Sequence, residues 1–159
     1  MFTVSCSKDE GGTKTPTTPA KPITITAENI TAGFTGLSTI TIGKMDFDFA
    51  SFDGNASSLT KIGALATVND DTANFDKTKI EGKFTSGLKV SGATVSATAG
   101  DTEIDTAQNQ DITVTITITP TTGNSFAATE QLKPYTATAG KVTVTLKLSP
   151  ESGKKWDGN

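Results

Sequence analysis

The stretch DITVTITITPTTGNSF, residues 111–126, decides the fold class of this chain. Ile112, Val114, Ile116 and Ile118 alternate with threonines at every second position. Strict alternation over eight residues predicts a β-strand with one buried and one solvated face. A half-polar strand favours an antiparallel sheet, because parallel strands are usually apolar on both faces.

The same pattern returns in KVTVTLKLSPESGKKW, residues 141–156. Each strand ends in a Pro-x-x-Gly turn, and an aromatic residue follows, Phe126 or Trp156. SATAG (96–100) and TATAG (136–140) precede the two strands, the first across a longer loop, 101–110. A lone hairpin is barely stable, so we expect the two copies to shield one another within a closed β-sandwich.

The sequence from residue 23 to residue 98 predicts further strands at 23–26, 38–42, 45–52, 79–85 and 88–98. Residues 58–68 fit either a short helix or a strand, since Leu59, Ile62 and Leu65 recur at intervals of three. The predicted fold is therefore all-β, an antiparallel β-sandwich over residues 23–159. A split into two domains near residue 97 is the alternative, although a domain of about 60 residues is marginal without disulfides or metal.

The amino-acid composition excludes several classes of function. The chain has 159 residues, a net charge of -3, no His, and lysine as its only basic residue type. Without His, the Ser-His-Asp and Cys-His arrangements and the common zinc sites are excluded, so we expect no enzyme. Without Arg and with an acidic balance, nucleic acid is not an expected partner.

The single cysteine, Cys6, cannot form a disulfide within the chain. Residues 7–22 contain Gly11, Gly12 and three prolines among Thr, Lys and Ala, which predicts a disordered tether that reaches at most about 55 Å. No stretch has the length and apolarity of a membrane-spanning helix, so attachment to a membrane would use a lipid.

Val4-Ser5-Cys6 resembles the end of a bacterial lipoprotein signal, and Ser7 to Glu10 resemble the start of mature lipoproteins of the Bacteroidetes group. The resemblance implies lipid attachment at Cys6 and an extracytoplasmic location, at the bacterial outer membrane or cell surface. Only five residues precede Cys6, and Thr3 replaces the usual Leu, so either the start codon is assigned late or the chain is trimmed.

The alternating strand, Pro/Gly turn and closing aromatic, over about 96–159, resemble the immunoglobulin-like repeats of large bacterial surface proteins. That resemblance implies adhesion, spacing or carbohydrate contact. The resulting hypothesis is a non-enzymatic surface lipoprotein module with a structural or adhesive role. The alternative is a carbohydrate-binding protein of a surface glycan-uptake system.

Two sets of residues are candidate ligand sites. Asn69, Asp70, Asp71 and Asp76 supply clustered oxygens that suit calcium, although Asn and Asp are also ordinary turn residues. Tyr135 and Trp156 would stack on sugar rings if exposed, or fill the core if buried. Self-association through an open edge strand, with 111–119 as the candidate, is a further expectation, and the bound partner is either a glycan or a protein.

Overall fold

The computed structural model describes residues 18–55, 64–65, 76–100, 107 and 109–159. Within them strands predominate over helices, and the sheets are open. The strands are β1 Thr24–Ile25, β2 Thr39–Ile42, β3 Met45–Asp48, β4 Ala64–Leu65, β5 Ala93–Ala99, β6 Ile112–Pro120, β7 Ser125–Phe126, β8 Ala137–Thr138 and β9 Lys141–Leu148. The helices are α1 Ala27–Thr35, α2 Lys77–Gly87 and α3 Thr129–Leu132.

The four-stranded sheet has the order β5-β6-β9-β8, and every neighbouring pair is antiparallel. The predicted alternation is confirmed: the side chains of Ile112, Val114, Ile116 and Ile118 are buried, and so are the equivalent residues of β9. Ile116 pairs with Val144 in the register that joins the two copies. The duplicated sequence therefore builds two hairpins, β5-β6 and β8-β9.

The two copies lie side by side, however, and do not face one another. Because β9 pairs with β6, the apolar faces of both hairpins point to the same side of one sheet and must be covered by other elements. The prediction that 111–119 forms an open edge is also wrong, since β6 has a neighbour on each side. One edge of this sheet is β5, and the other is formed by the two-residue strand β8 together with the part of β9 beyond Val142.

Helix α2 replaces the strand predicted at 79–85. Ile80 and Phe84 are both fully buried, and a separation of four residues places them on one helix face. The side chain of Asp76 accepts hydrogen bonds from the N–H groups of Thr78 (2.7 Å) and Lys79 (3.2 Å), which caps the helix start. Helix α2 packs against β5.

Helix α1 was not predicted from the sequence. Thr26 and Asn29 form a reciprocal capping box at its start, and Ile30, Gly33 and Phe34 form its buried face. Gly33 is required by a close approach, because a Cβ atom there would lie 2.7 Å from the carbonyl oxygen of Lys89. Helices α1 and α2 make all-β too narrow a description, although a β-rich, largely antiparallel fold is confirmed.

The N-terminal strands are shorter than predicted. β2 and β3 form an antiparallel pair, with β4 beside β3, and only 45–48 of the predicted 45–52 is strand. β1 falls within 23–26 and pairs in parallel with β7, while 88–98 contributes only from Ala93 onward. The prediction for 58–68 lies outside the described residues, apart from the backbone of β4.

Buried side chains from all three helices and from both of the larger sheets form one hydrophobic cluster. Phe34 and Phe52 rings lie 4.5 Å apart between centroids, and Phe47 and Trp156 rings lie 5.9 Å apart. The backbone N–H of Lys44 donates to the carbonyl oxygen of Trp156 at 2.7 Å. The sheets and helices thus share a core that begins at Ile25 and includes Trp156 near the C-terminus.

Candidate functional site

The solvent side of the four-stranded sheet carries a continuous array of hydroxyl groups, which we call the hydroxyl face. Alternation along the strands places these side chains on the same side, opposite the core. Its members are Thr94, Ser96 and Thr98 on β5, Thr113, Thr115, Thr117 and Thr119 on β6, and Thr143 and Thr145 on β9.

The strand register aligns these hydroxyls into rows. Thr98, Thr115 and Thr145 form one row across three strands, and Ser96, Thr117 and Thr143 form the next. Neighbouring strands are about 4.8 Å apart and same-side residues about 6.7 Å apart along a strand. The face offers hydrogen-bond donors and acceptors at regular spacing, with Lys141 and Lys147 on the same side of β9 at its two ends. Its centre is uncharged, which suits contact with a neutral, hydroxyl-rich surface.

A small polar cleft of about 190 Å³ lies at the end of this sheet, formed by Asn109, Asp111 and residues 149–154. The hydroxyl of Ser149 donates to Asp111 at 2.6 Å, and the ammonium of Lys147 lies 3.0 Å from the other oxygen of that carboxylate. These contacts, the Ser149 hydrogen bond most strongly, hold the pKa of Asp111 below its usual value.

Glu151 also lines this polar cleft, and its Oε2 is buried without a hydrogen-bond partner among the described residues. Two carboxylates do not complete a metal site. In the part of the chain that the structure describes, no group of three or more acidic or cysteine side chains could hold a metal ion.

The predicted stacking platform is wrong, because both aromatic rings lie in the core. Trp156 is 0% exposed, and its indole N–H donates to the carbonyl oxygen of Gln110 at 2.8 Å. Tyr135 is 5% exposed, and its hydroxyl is hydrogen-bonded to that of Thr31 at 2.8 Å. Burial raises the pKa of Tyr135, and the charge of Asp53 adds to the shift. Each ring has its polar atom paired inside the protein and offers no face to a sugar.

The predicted calcium ligands are only partly described. Asn69, Asp70 and Asp71 lie outside the described residues, whereas Asp76 uses its carboxylate to cap α2. In a separate loop, the side chain of Asp53 accepts a hydrogen bond from the N–H of Asn55 at 2.9 Å, which forms an Asx turn.

A second surface feature, an open groove of about 510 Å³, runs along the β5 edge of the sheet. It is lined by Thr85, residues 88–91 and residues 93–95. Neither this groove nor the hydroxyl face was predicted as a site from the sequence. The hydroxyl face has a sequence signal, threonine at every second position, whereas the groove depends on helix α2, which the strand pattern concealed.

Cys6, the predicted lipid-attachment residue, lies outside the described residues. Among the residues that the structure describes, no helix has the length and apolarity needed to cross a membrane. Comparisons with protein-family models, curated proteins and solved structures found no match to this chain.

Proposed function

We propose that this chain is a non-enzymatic bacterial surface lipoprotein, anchored through a lipid on Cys6, whose β-rich body has a structural or adhesive role. The observation that carries the proposal is the order Ser5-Cys6, a polar Gly/Pro/Thr spacer, and then a folded body whose first strand begins at Thr24. A lipid on Cys6 would insert into the outer membrane, and the spacer would connect it to the folded body.

The composition of the core supports a structural role for the body. No polar or charged residue of the described chain is buried, and its two largest sheets are antiparallel. Apart from the buried Oε2 atom of Glu151 in the polar cleft, such a core stabilises the fold without burying charged groups. We therefore infer an immunoglobulin-like arrangement, in which the four-stranded sheet, the smaller sheet and the helices cover one another.

Lipid attachment can be tested by expressing the chain with a bacterial lipoprotein signal placed directly before Cys6. Labelled palmitate should be incorporated, and mass spectrometry should find the acyl mass on the peptide that begins at Cys6. The Cys6→Ser variant should remain unlabelled and leave the membrane fraction, while Ser7→Ala serves as the matched control and should behave as the parent. Equal labelling of Cys6→Ser would contradict the proposal.

Binding of neutral glycan is the second candidate function, and the hydroxyl face now supports it better than the buried rings do. Thr115 and Thr117 lie in the two central rows of that face. Replacing both with Val removes the hydroxyls and keeps the β-branched shape, so strand stability should change little.

A glycan array or polysaccharide pull-down distinguishes the two candidate functions. Loss of binding in the Thr115→Val/Thr117→Val double variant, with binding kept in Thr39→Val on the exposed side of β2, would support glycan recognition. Absence of any glycan bound by the parent chain would leave the structural or adhesive role as the proposal.

A further inference from the structure

Strand β5 is an edge of the four-stranded sheet, and its pairing with β6 fixes which backbone groups face outward. The N–H of Gly100 donates to the carbonyl of Thr113 at 2.7 Å, and that of Thr121 donates to Gly92 at 2.9 Å. Since hydrogen-bonded pairs alternate along an antiparallel ladder, Thr94, Ser96 and Thr98 bond to β6. The N–H and C=O groups of Val95 and Ala97 therefore point away from the sheet.

The outward N–H groups at the two ends of β5 are already satisfied within the chain. The N–H of Ala93 donates to the carbonyl of Val90 at 3.1 Å, and that of Ala99 donates to the carboxylate of Glu81 at 2.8 Å. Between these ends, the N–H groups of Val95 and Ala97 have no partner among the described residues. Within the described part of the chain, the N–H groups of this edge are thus satisfied at both ends and open at Val95 and Ala97, and helix α2 packs against the same strand.

The open groove lies beside the Val95 end of this window. Leu88 and Val90 line the groove but are buried in the core, whereas the side chains of Val95 and Ala97 are only partly buried at its edge. Its volume of about 510 Å³ leaves space for side chains of another extended strand. A strand added at this edge would gain main-chain hydrogen bonds and would further cover the partly buried side chains of Val95 and Ala97.

Charge and register identify a second copy of this chain as the occupant. Lys89 lines the groove near Ala93, and Glu81 lies at the opposite end, against Ala99. A two-fold axis reverses the strand direction, so it brings Lys89 of each copy towards Glu81 of the other. The same patch is therefore complementary to itself.

We propose that two copies of this chain associate by antiparallel pairing of β5 with its symmetry mate, about a two-fold axis at Ser96. This register places Val95 opposite the partner's Ala97 and uses only the N–H groups that are open. Sliding by two residues in either direction would require the N–H of Ala93 or Ala99, both of which are occupied. Pairing joins the two four-stranded sheets into one continuous sheet, with the hydroxyl faces side by side.

The interface contains few residues, so we expect association in the micromolar range. Sedimentation velocity on the full chain, from about 1 µM to about 1 mM, should show a monomer–dimer equilibrium. Amide hydrogen exchange at Val95 and Ala97 should slow as the dimer forms. Val95→Pro removes an N–H that bonds nothing within the described chain, so it should abolish the dimer with little loss of folded structure.

Thr145→Pro is the matched control, because β9 bonds to β6 through its even-numbered residues and the N–H of Thr145 also points outward. This variant should dimerise like the parent. Lys89→Glu keeps the backbone intact and should raise the dimer Kd about tenfold, since it places two acids at each end of the interface.

Three results would overturn the proposal. The first is a protein that stays monomeric at every concentration, even if it binds an extended peptide from another protein. The second is a dimer that survives Val95→Pro. The third is a dimer that is lost in Thr145→Pro. Rapid exchange at Val95 and Ala97 in a sample shown to be dimeric would assign the interface to another surface.

Discussion

Trp156 joins three parts of the described chain that are distant in sequence. Its indole N–H bonds to Gln110 before β6, its carbonyl accepts from Lys44 before β3, and its ring packs beside Phe47. A large aromatic side chain with its polar atom satisfied contributes strongly to a core. The described fold therefore depends on a residue that is distant in sequence from the segments it joins.

Truncation of this ring should be severe. We expect Trp156→Ala to lower the free energy of unfolding by about 3–5 kcal/mol, as for other buried aromatic truncations. Trp156→Phe should cost less, because it keeps part of the ring and loses the hydrogen bond to Gln110. Urea denaturation followed by far-UV circular dichroism measures both, and a change under about 1 kcal/mol in Trp156→Ala would contradict the buried position.

Tyr135 is the only tyrosine in the chain, so its ionisation can be followed by ultraviolet absorbance. Burial raises its pKa above the ordinary 10.0, and the phenol should therefore titrate later in the folded protein than in urea. Above about pH 10 the unfolded chain releases this proton while the folded chain keeps it, so folding stability should fall as pH rises.

The Tyr135→Phe variant isolates this effect from the lysines, which titrate in the same range. It should lose about 1 kcal/mol of stability at neutral pH with the Thr31 hydrogen bond, and it should show a weaker decline above about pH 10. Identical alkaline profiles for the two proteins would argue against a raised pKa.

At this scale, sequence reasoning identified the inward residues of β6 and β9 correctly. It could not decide between core and surface for Tyr135 and Trp156, because a lone aromatic at a strand end has the same local pattern in either role. Their burial depends on Thr31 and Gln110, which are far away in the sequence.

Two helical glycines make a matched test of helices α1 and α2. Gly33 packs against the backbone at Lys89, so Gly33→Ala should destabilise the protein by about 1–3 kcal/mol through overpacking. A Cβ atom added at Gly82 would meet nothing within 4 Å, so Gly82→Ala should stabilise by about 0.5–1 kcal/mol through helix propensity. Thermal melting of both variants shows whether each substitution lowers or raises the melting temperature. Equal changes in the two variants would contradict the packing of α1 against Lys89.

The cap of α2 can be tested against the predicted calcium role of Asp76. Asp76→Ala should cost about 1 kcal/mol, because two backbone N–H groups lose their acceptor. Asp76→Asn keeps an acceptor, so its free energy of unfolding should stay within a few tenths of a kcal/mol of the parent value. If Asp76 binds calcium instead, the parent would melt higher with calcium than with a chelator, and Asp76→Asn would lose that difference.

The strands of the repeat were predictable because their alternation continues over eight residues. Helix α2 was not predictable in this way, because its two buried residues, Ile80 and Phe84, are four positions apart. That spacing places two residues on the same side of a strand as well as on the same face of a helix. Helix α1 was missed in the same way, although Thr26 and Asn29 provide a cap that is visible in the sequence.

At the scale of the whole molecule, buried residues on both sides of residue 97 belong to the same cluster, and Ala97 itself lies within β5. We therefore expect one cooperative unfolding transition. Trp156 fluorescence and far-UV circular dichroism should give coincident urea curves with the same midpoint. Two separated transitions would support a division into domains near residue 97.

The class of fold followed from the sequence, but the arrangement of the two copies did not. Alternation determines which side of a strand is buried, yet it does not determine whether two hairpins stack or join edge to edge. When the hairpins join edge to edge, the apolar side of the four-stranded sheet must be covered by α1, α2 and the three-stranded sheet. The sequences of these covering elements are not part of the repeat.

The parallel pairing of Thr24–Ile25 with Ser125–Phe126, together with the bond between Lys44 and Trp156, has a consequence during synthesis. Strand β1 lacks its partner until residue 126 has been translated, and the core lacks the Trp156 indole until residue 156 has left the ribosome. The nascent chain consequently cannot complete this core until residue 156 has been synthesised, so its native structure forms late in translation.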